Sequence, residues 1–153
     1  VKAMRPLPLA GRALKTGDLK TARECLGYDY SITGIIVEGH QVGRCMGFPT
    51  ANVSITRGKA LPAFGVYDCW LETGDGAYHP AVVNVGRHPT LPEGSVTVEA
   101  HVLDGQMELY GQHVRLSFLR HQRAETRFDS KEALQAQIAR DVEDARVYFA
   151  SLQ

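Results

Sequence analysis

Between residues 31 and 119 the chain keeps repeating one pattern: a short β-branched or aromatic run, then a cluster of glycine and proline. The runs are Ser31 to Glu38 (SITGIIVE), Phe64 to Leu71 (FGVYDCWL), Pro80 to Val85 (PAVVNV), Val96 to Leu103 (VTVEAHVL) and Val114 to Leu119 (VRLSFL). Runs of this kind read as strands. The punctuation falls at Gly74-Asp75-Gly76, Gly86 to Pro92, Gly94, Gly105 and Gly111. No helical pattern lies between the runs, so the strands have no crossover helices to join them in parallel. An antiparallel barrel or sandwich is the expected core. Gly34 interrupts the first run, which marks a bulge or a close approach of another backbone.

Helical patterns sit only at the two ends. Leu134, Ile138, Val142, Ala145 and Phe149 form one apolar stripe. Asp129 with Glu132 resembles a capping box, and Ser130 is the alternative cap. Asp141, Glu143, Asp144 and Arg146 are expected to be mostly solvated, with the stripe packed on the barrel. At the other end, Val1 to Leu9 carries Pro6 and Pro8 and reads as irregular. Asp18 is a candidate N-cap, Leu19, Ala22 and Leu26 follow at helical spacing, and Gly27 is a natural stop. The expected division is a lead-in over 1–30 and a barrel with its helix over 31–153.

Composition narrows the function. The chain carries 17 Lys plus Arg against 17 Asp plus Glu, which argues against a general nucleic-acid surface. No apolar run approaches the roughly 20 residues of a membrane span, and no signal peptide opens the chain. The first residue is Val, so a piece of a longer or processed protein is expected. Cys25, Cys45 and Cys69 are odd in number and lack CxxC spacing, which fits a reducing cytoplasm and gives no zinc signature. At 153 residues a domain buries enough surface to fold without a disulfide or metal.

Three stretches hold candidate chemistry. Residues 39–54 read GHQVGRCMGFPTANVS. Its glycines Gly39, Gly43 and Gly47 form either an ordinary connecting loop or one whose amides approach phosphates. Neither a Walker A loop nor GxGxxG is present. Beyond Pro49, Thr50 and Asn52 point to one side of an extended segment. As hard oxygen donors they could complete a Mg²⁺ shell with phosphates and water, or simply bond to nearby backbone at a turn. In VTVEAHVL, Val96, Val98, Ala100 and Val102 would face a core, leaving Glu99 and His101 together on the other face about 7 Å apart. They suit a general base, a metal site or a solvated polar pair. Lastly, residues 113–127 hold Arg115, Arg120, Arg123, Arg127, His113 and His121 against Glu125, which is either an anion site or a solvated surface.

Taken together these residues resemble the riboflavin kinase (flavokinase) family. The matching pieces are GHQVGRCMGFPTAN from Gly39, Gly65-Val66-Tyr67, NVGRHPT from Asn84, EAHVLD from Glu99, Leu109-Tyr110-Gly111, and RAETRFDS from Arg123. Their order and spacing agree with the family from about Tyr30 to the last helix. Residues 11–30 resemble the helical linker that follows an FMN adenylyltransferase domain in bacterial bifunctional members.

The resemblance implies a mainly β fold: a six-stranded antiparallel Greek-key barrel, with a C-terminal helix packed outside and a short helical lead-in. It implies transfer of the ATP γ-phosphate to the ribityl 5′-hydroxyl of riboflavin, giving FMN and ADP. Glu99 would accept the hydroxyl proton. Gly43, Arg44, Gly47, Pro49, Thr50, Asn52 and Tyr110 would bind nucleotide, with Thr50 and Asn52 on Mg²⁺. Asp104, Arg123, Glu125 and Phe128 would serve the flavin side. The family usually has Arg where His88 stands, and an aromatic where Gly105 stands. The Ser-Ser-Thr-Arg element that ends the adenylyltransferase part has Pro6 to Ala10 in its place, so FAD synthesis by this chain alone is not expected. The rivals are a flavin or nucleotide sensor without turnover and a nonenzymatic interaction barrel. Nucleic-acid and membrane partners are not expected.

Overall fold

A computed structural model of the chain describes residues 7–37, 50–55, 60–87, 96–105 and 108–152. Six strands are present: β1 (Ser31–Val37), β2 (Ala51–Ile55), β3 (Gly65–Glu72), β4 (Tyr78–Arg87), β5 (Val96–Val102) and β6 (His113–Ala124). They close into a barrel in the order β1-β2-β5-β4-β3-β6, and each neighbouring pair is antiparallel. The fold is therefore the expected barrel. β2 pairs with β5 rather than β3, and β6 bridges β1 and β3 to complete the closure.

Alternation along the strands fills the interior. Ile32, Ile36, Val53, Tyr67, Cys69, Leu71, Val83, Val85, Val98, Ala100, Leu116 and Phe118 are buried in one cluster. Gly34 lies between Ile32 and Ile36 on this inner face, and a Cβ there would strike the Ser54 carbonyl of β2. Close backbone approach, one of the two readings of Gly34, is thus its role.

The lead-in is more helical than its prolines indicate. α1 spans Leu7–Thr16, so Leu7 to Leu9 are helical rather than irregular. Pro8 falls in the first turn, where a missing N–H leaves no intrahelical bond unmade. α2 spans Leu19–Leu26; Asp18 Oδ1 accepts from the Thr21 N–H at 3.0 Å, and Gly27 closes the helix at φ 84°. Ala13, Leu14, Leu19 and Ala22 join the barrel's own buried cluster. The Ala63 N–H donates to the Leu14 carbonyl at 2.8 Å, tying α1 to the segment before β3.

α3 (Lys131–Ser151) packs on the outside of the barrel. Ser130 is its cap, accepting from the Ala133 N–H at 3.0 Å. Val142, Ala145 and Phe149 form a second buried cluster with Val66, Val82 and Leu103, which point outward from the barrel. β6 continues well past Leu119, to Ala124, and carries two irregularities opposite β3. Its partners step from Phe118 to Arg120 and from His121 to Arg123. The extra residues, Leu119 and Gln122, therefore share the outer face with their neighbours Arg120 and Arg123, as bulges allow.

Candidate functional site

The strand registers set a row of residues across five strands on the barrel's outer face. Asn52 of β2 stands opposite Glu99 of β5, and Glu99 opposite Asn84 of β4. Asn84 stands opposite Val66 of β3, and Val66 opposite Arg123 of β6. Residues opposed in this way keep their Cβ atoms about 4.5–5.5 Å apart. Glu99 thus has an amide side chain on either flank. Its chain neighbours Val98 and Ala100 are 2% and 1% exposed in the interior, so burial itself turns Glu99 outward.

A cavity of about 1090 Å³ lies between this face and α3. Thr50, Asn84, Thr97, Glu99 and His101 form its polar barrel wall. Val66, Val82, Leu134, Ile138 and Val142 give it an apolar floor, and residues 125–131 form the opposite rim. Such a mix suits an organic ligand held by apolar surface and oriented by a few polar groups. Thr50 Oγ1 is buried and has no hydrogen-bond partner among the described residues. An unpaired buried hydroxyl is costly unless something else uses it. Glu125 lies against Gly86: a Cβ at position 86 would collide with the Glu125 carboxylate.

Polar side chains fasten α3 to the barrel beside the cavity. Asp141 of α3 is 3% exposed, which corrects the expectation of a solvated residue. Arg123 reaches it through both Nε (2.9 Å, to Oδ1) and Nη2 (2.7 Å, to Oδ2). Gln122 donates to Asp68 Oδ1 at 2.6 Å and to the Asp141 carbonyl at 2.9 Å. Arg120 Nε donates to Asp68 Oδ2 at 2.6 Å. Burial pushes the Asp68 carboxyl up, and the hydrogen bonds from Gln122 and Arg120 hold it down. Arg115 pairs with Glu72 at 3.6 Å. Arg115, Arg120 and Arg123 are thus in ion pairs, whereas Arg127 is exposed at the cavity rim.

Among the sequence candidates, Thr50, Glu99, Arg123, Glu125 and Phe128 come together around one cavity. Asn52 joins them through its register with Glu99, although it does not line the cavity. Asp104 is elsewhere: its Oδ2 meets His79 Nδ1 at 3.1 Å, and it borders a smaller cavity of about 230 Å³ with Leu103 and Arg146. Tyr110 is 64% exposed and lines neither cavity. Gly43, Arg44, Gly47, Pro49, His88 and Cys45 lie outside the described residues. Cys25 and Cys69 are free thiols. Sequence reasoning missed Asn84, Thr97 and Asp141 as parts of the site. Thr97 shares the Glu99 alternation and was legible in principle, whereas Asn84 and Asp141 depend on pairings between distant segments.

Among the described residues no cluster of three or more His, Cys, Asp or Glu could hold a metal ion, and no helix is long and apolar enough to cross a membrane.

Comparison with known proteins places the chain in a family. The Flavokinase (riboflavin kinase) family model matches residues 26–149. A bifunctional riboflavin kinase/FMN adenylyltransferase of Escherichia coli is 39% identical over 138 residues, covering 90% of this chain and 44% of that protein. The one from Listeria monocytogenes is 32% identical over 143 residues, covering 93% of this chain and 45% of that protein. The chain thus spans slightly under half the length of these curated relatives. A crystal structure described as a macrolide-efflux protein from Streptococcus pneumoniae superposes with a TM-score of 0.81 at 29% identity, over 90% of this chain and 45% of that one. Riboflavin kinase from Trypanosoma brucei shares the fold, with a TM-score of 0.57 at 22% identity over 78% of this chain and 76% of that one. With a barrel of the same kind and a family match running from the last residue of α2 through nearly all of α3, this chain belongs to the riboflavin kinase family.

Proposed function

We propose that this domain transfers the γ-phosphate of ATP to the ribityl 5′-hydroxyl of riboflavin, giving FMN and ADP. The observation that carries the reading is Glu99, a carboxylate on the wall of a large cavity with Asn52 and Asn84 as its direct cross-strand neighbours. Phosphoryl transfer asks for positioning and charge neutralisation more than for covalent chemistry. Glu99 accepts the 5′-hydroxyl proton as the new O–P bond forms and the bond to ADP breaks. A primary alcohol is a weak acid, so a carboxylate helps most as the proton leaves.

The apolar floor of Val66, Val82, Leu134, Ile138 and Val142 suits a flat aromatic ring system. Arg123, Glu125 and Phe128 belong to the flavin side in this reading. Gly43, Arg44, Gly47, Pro49, Thr50, Asn52 and Tyr110 belong to the nucleotide in this reading, and Asp104, which stands beside His79 outside the large cavity, to a loop that closes over nucleotide and flavin. The buried Thr50 Oγ1, without a partner among the described residues, fits a hard-cation ligand, and the Asn52 amide oxygen offers a second. Thr50 and Asn52 would hold Mg²⁺, which when bound neutralises phosphate charge. An upstream FMN adenylyltransferase domain and a cytoplasmic setting belong to the same proposal, and the bifunctional relatives support the first.

The test is incubation of the purified chain with riboflavin, ATP and Mg²⁺, followed by chromatography for FMN. FMN formation that needs all three components is expected. Riboflavin binding without FMN would favour a sensor instead.

A further inference from the structure

The Asp141–Arg123 pair does something that a surface ion pair does not. Asp141 is 3% exposed, on the barrel-facing side of α3. Its two carboxylate oxygens take Arg123 Nε and Nη2 at 2.9 and 2.7 Å, and Gln137 Nε2, one turn earlier on α3, adds a third bond to Oδ1 at 2.9 Å. Arg123 Nη1 donates to the Ala124 carbonyl at 3.3 Å. A guanidinium has five N–H donors in a rigid plane. Three are used here, which sets that plane and leaves one hydrogen on each terminal nitrogen. Arg123 Cζ lies 5.8 Å from the centroid of the Phe128 ring, and Arg123, Phe128 and Asp141 all line the large cavity.

We infer that Asp141 is a positioning residue for the flavin: it fixes the Arg123 guanidinium and cancels its charge, so that Arg123 meets a neutral, planar ligand rather than a phosphate. This inference rests on the proposed riboflavin kinase reading. The β6 bulge supports it, because it sets Gln122 and Arg123 on the same outer face, where Gln122 holds the Asp141 backbone and Arg123 its carboxylate. A simple structural strut would need neither a bidentate geometry nor an address inside the cavity. Bidentate pairing specifies orientation as well as energy.

The test is a double-mutant cycle with Asp141→Asn and Arg123→Gln, read by riboflavin Kd from flavin fluorescence and by KM for each substrate. Asp141→Asn is expected to raise the riboflavin Kd and KM roughly 10–100-fold, the scale of a small misplacement at a site. The ATP KM should stay essentially unchanged. Within the Arg123→Gln background, Asp141→Asn should add no further loss. If Asp141→Asn alone does not fold, the double variant, which carries no unpaired buried charge, is compared with Arg123→Gln directly. Equal riboflavin affinity supports the inference and an additive loss overturns it. Equal losses for riboflavin and ATP in Asp141→Asn also overturn it, since they describe a structural strut. A wild-type chain that neither binds riboflavin nor forms FMN removes the functional reading and the inference together. A working wild type with an unaffected Asp141→Asn removes the inference alone.

Discussion

Asn52 and Glu99 are direct cross-strand partners, where β2 meets β5 on the outer face of the barrel. A proposed metal ligand and the proposed base thus belong to one rigid sheet rather than to a loop, which suits chemistry that depends on position. Glu99→Gln keeps the shape and removes the base. Turnover should fall by about 10²–10⁴-fold, the range for general-base loss, with ADP binding retained. Single-turnover FMN formation measures it, and unchanged rates would take Glu99 out of the role.

Thr50→Ala removes a buried hydroxyl that has no protein partner among the described residues, so the apo domain should lose little stability. The loss should show in the metal dependence instead, as a higher Mg²⁺ requirement and a raised ATP KM. Mg²⁺ titrations of initial rate compare the two chains. A drop in melting temperature with unaltered metal dependence would recast Thr50 as a structural residue.

Asp68 is fully buried beneath α3, with Arg120 and Gln122 as donors. Asp68→Ala removes the carboxylate that both donate to, although Gln122 keeps the Asp141 carbonyl. Breaking a buried pair from one side costs about 3–5 kcal/mol, and the Arg120 side chain, 40% exposed, can turn to water, so the lower end is expected. Urea unfolding with an unchanged slope reads this directly. Asp68→Asn, which can keep one acceptor, should lose less.

His121 supplies a pH dependence. Its ring stacks on Tyr67 at 4.5 Å between centroids, and its imidazole would meet a Cβ at either Gly17 or Gly65. Burial pushes its pKa below the ordinary 6.5, against a smaller upward pull from the Arg123 backbone. The unfolded chain therefore binds this proton more readily than the folded one. The stability tied to neutral His121 is complete above pH 6.5 and declines as pH falls below it, until the lower folded value is passed. Thermal melts from pH 8 to 5 should show a steeper decline for the wild type than for His121→Phe, which keeps a ring on Tyr67. Parallel curves would remove His121 as the source.

What could be read without tertiary structure was whatever depends on near neighbours along the chain. β-Branched and aromatic runs between glycine and proline clusters named five strands, and Asp18, Gly27 and Ser130 act as caps within three or four residues of their partners. Gly34 announced either a bulge or a close approach, without saying to what. Family motifs also led to Thr50, Glu99, Arg123, Glu125 and Phe128, which meet around one cavity.

Barrel closure decided the rest. Asn84 flanks Glu99 because β4 and β5 pair in one particular register, a choice made by many interior contacts at once. Asp141 looked like a solvated helix residue, but it is buried and bonded by Gln122 and Arg123, which a bulge in β6 that no period-two pattern reveals sets on one face. Those bulges turn a run of charge, RHQR over 120–123, into donors for Asp68 and Asp141. Local sequence thus determined the elements and their ends, which short-range hydrogen bonds and side-chain periodicity control. Only the closed sheet with its docked helix determined which side chains share the site, because partners 18 to 54 residues apart meet through packing and register.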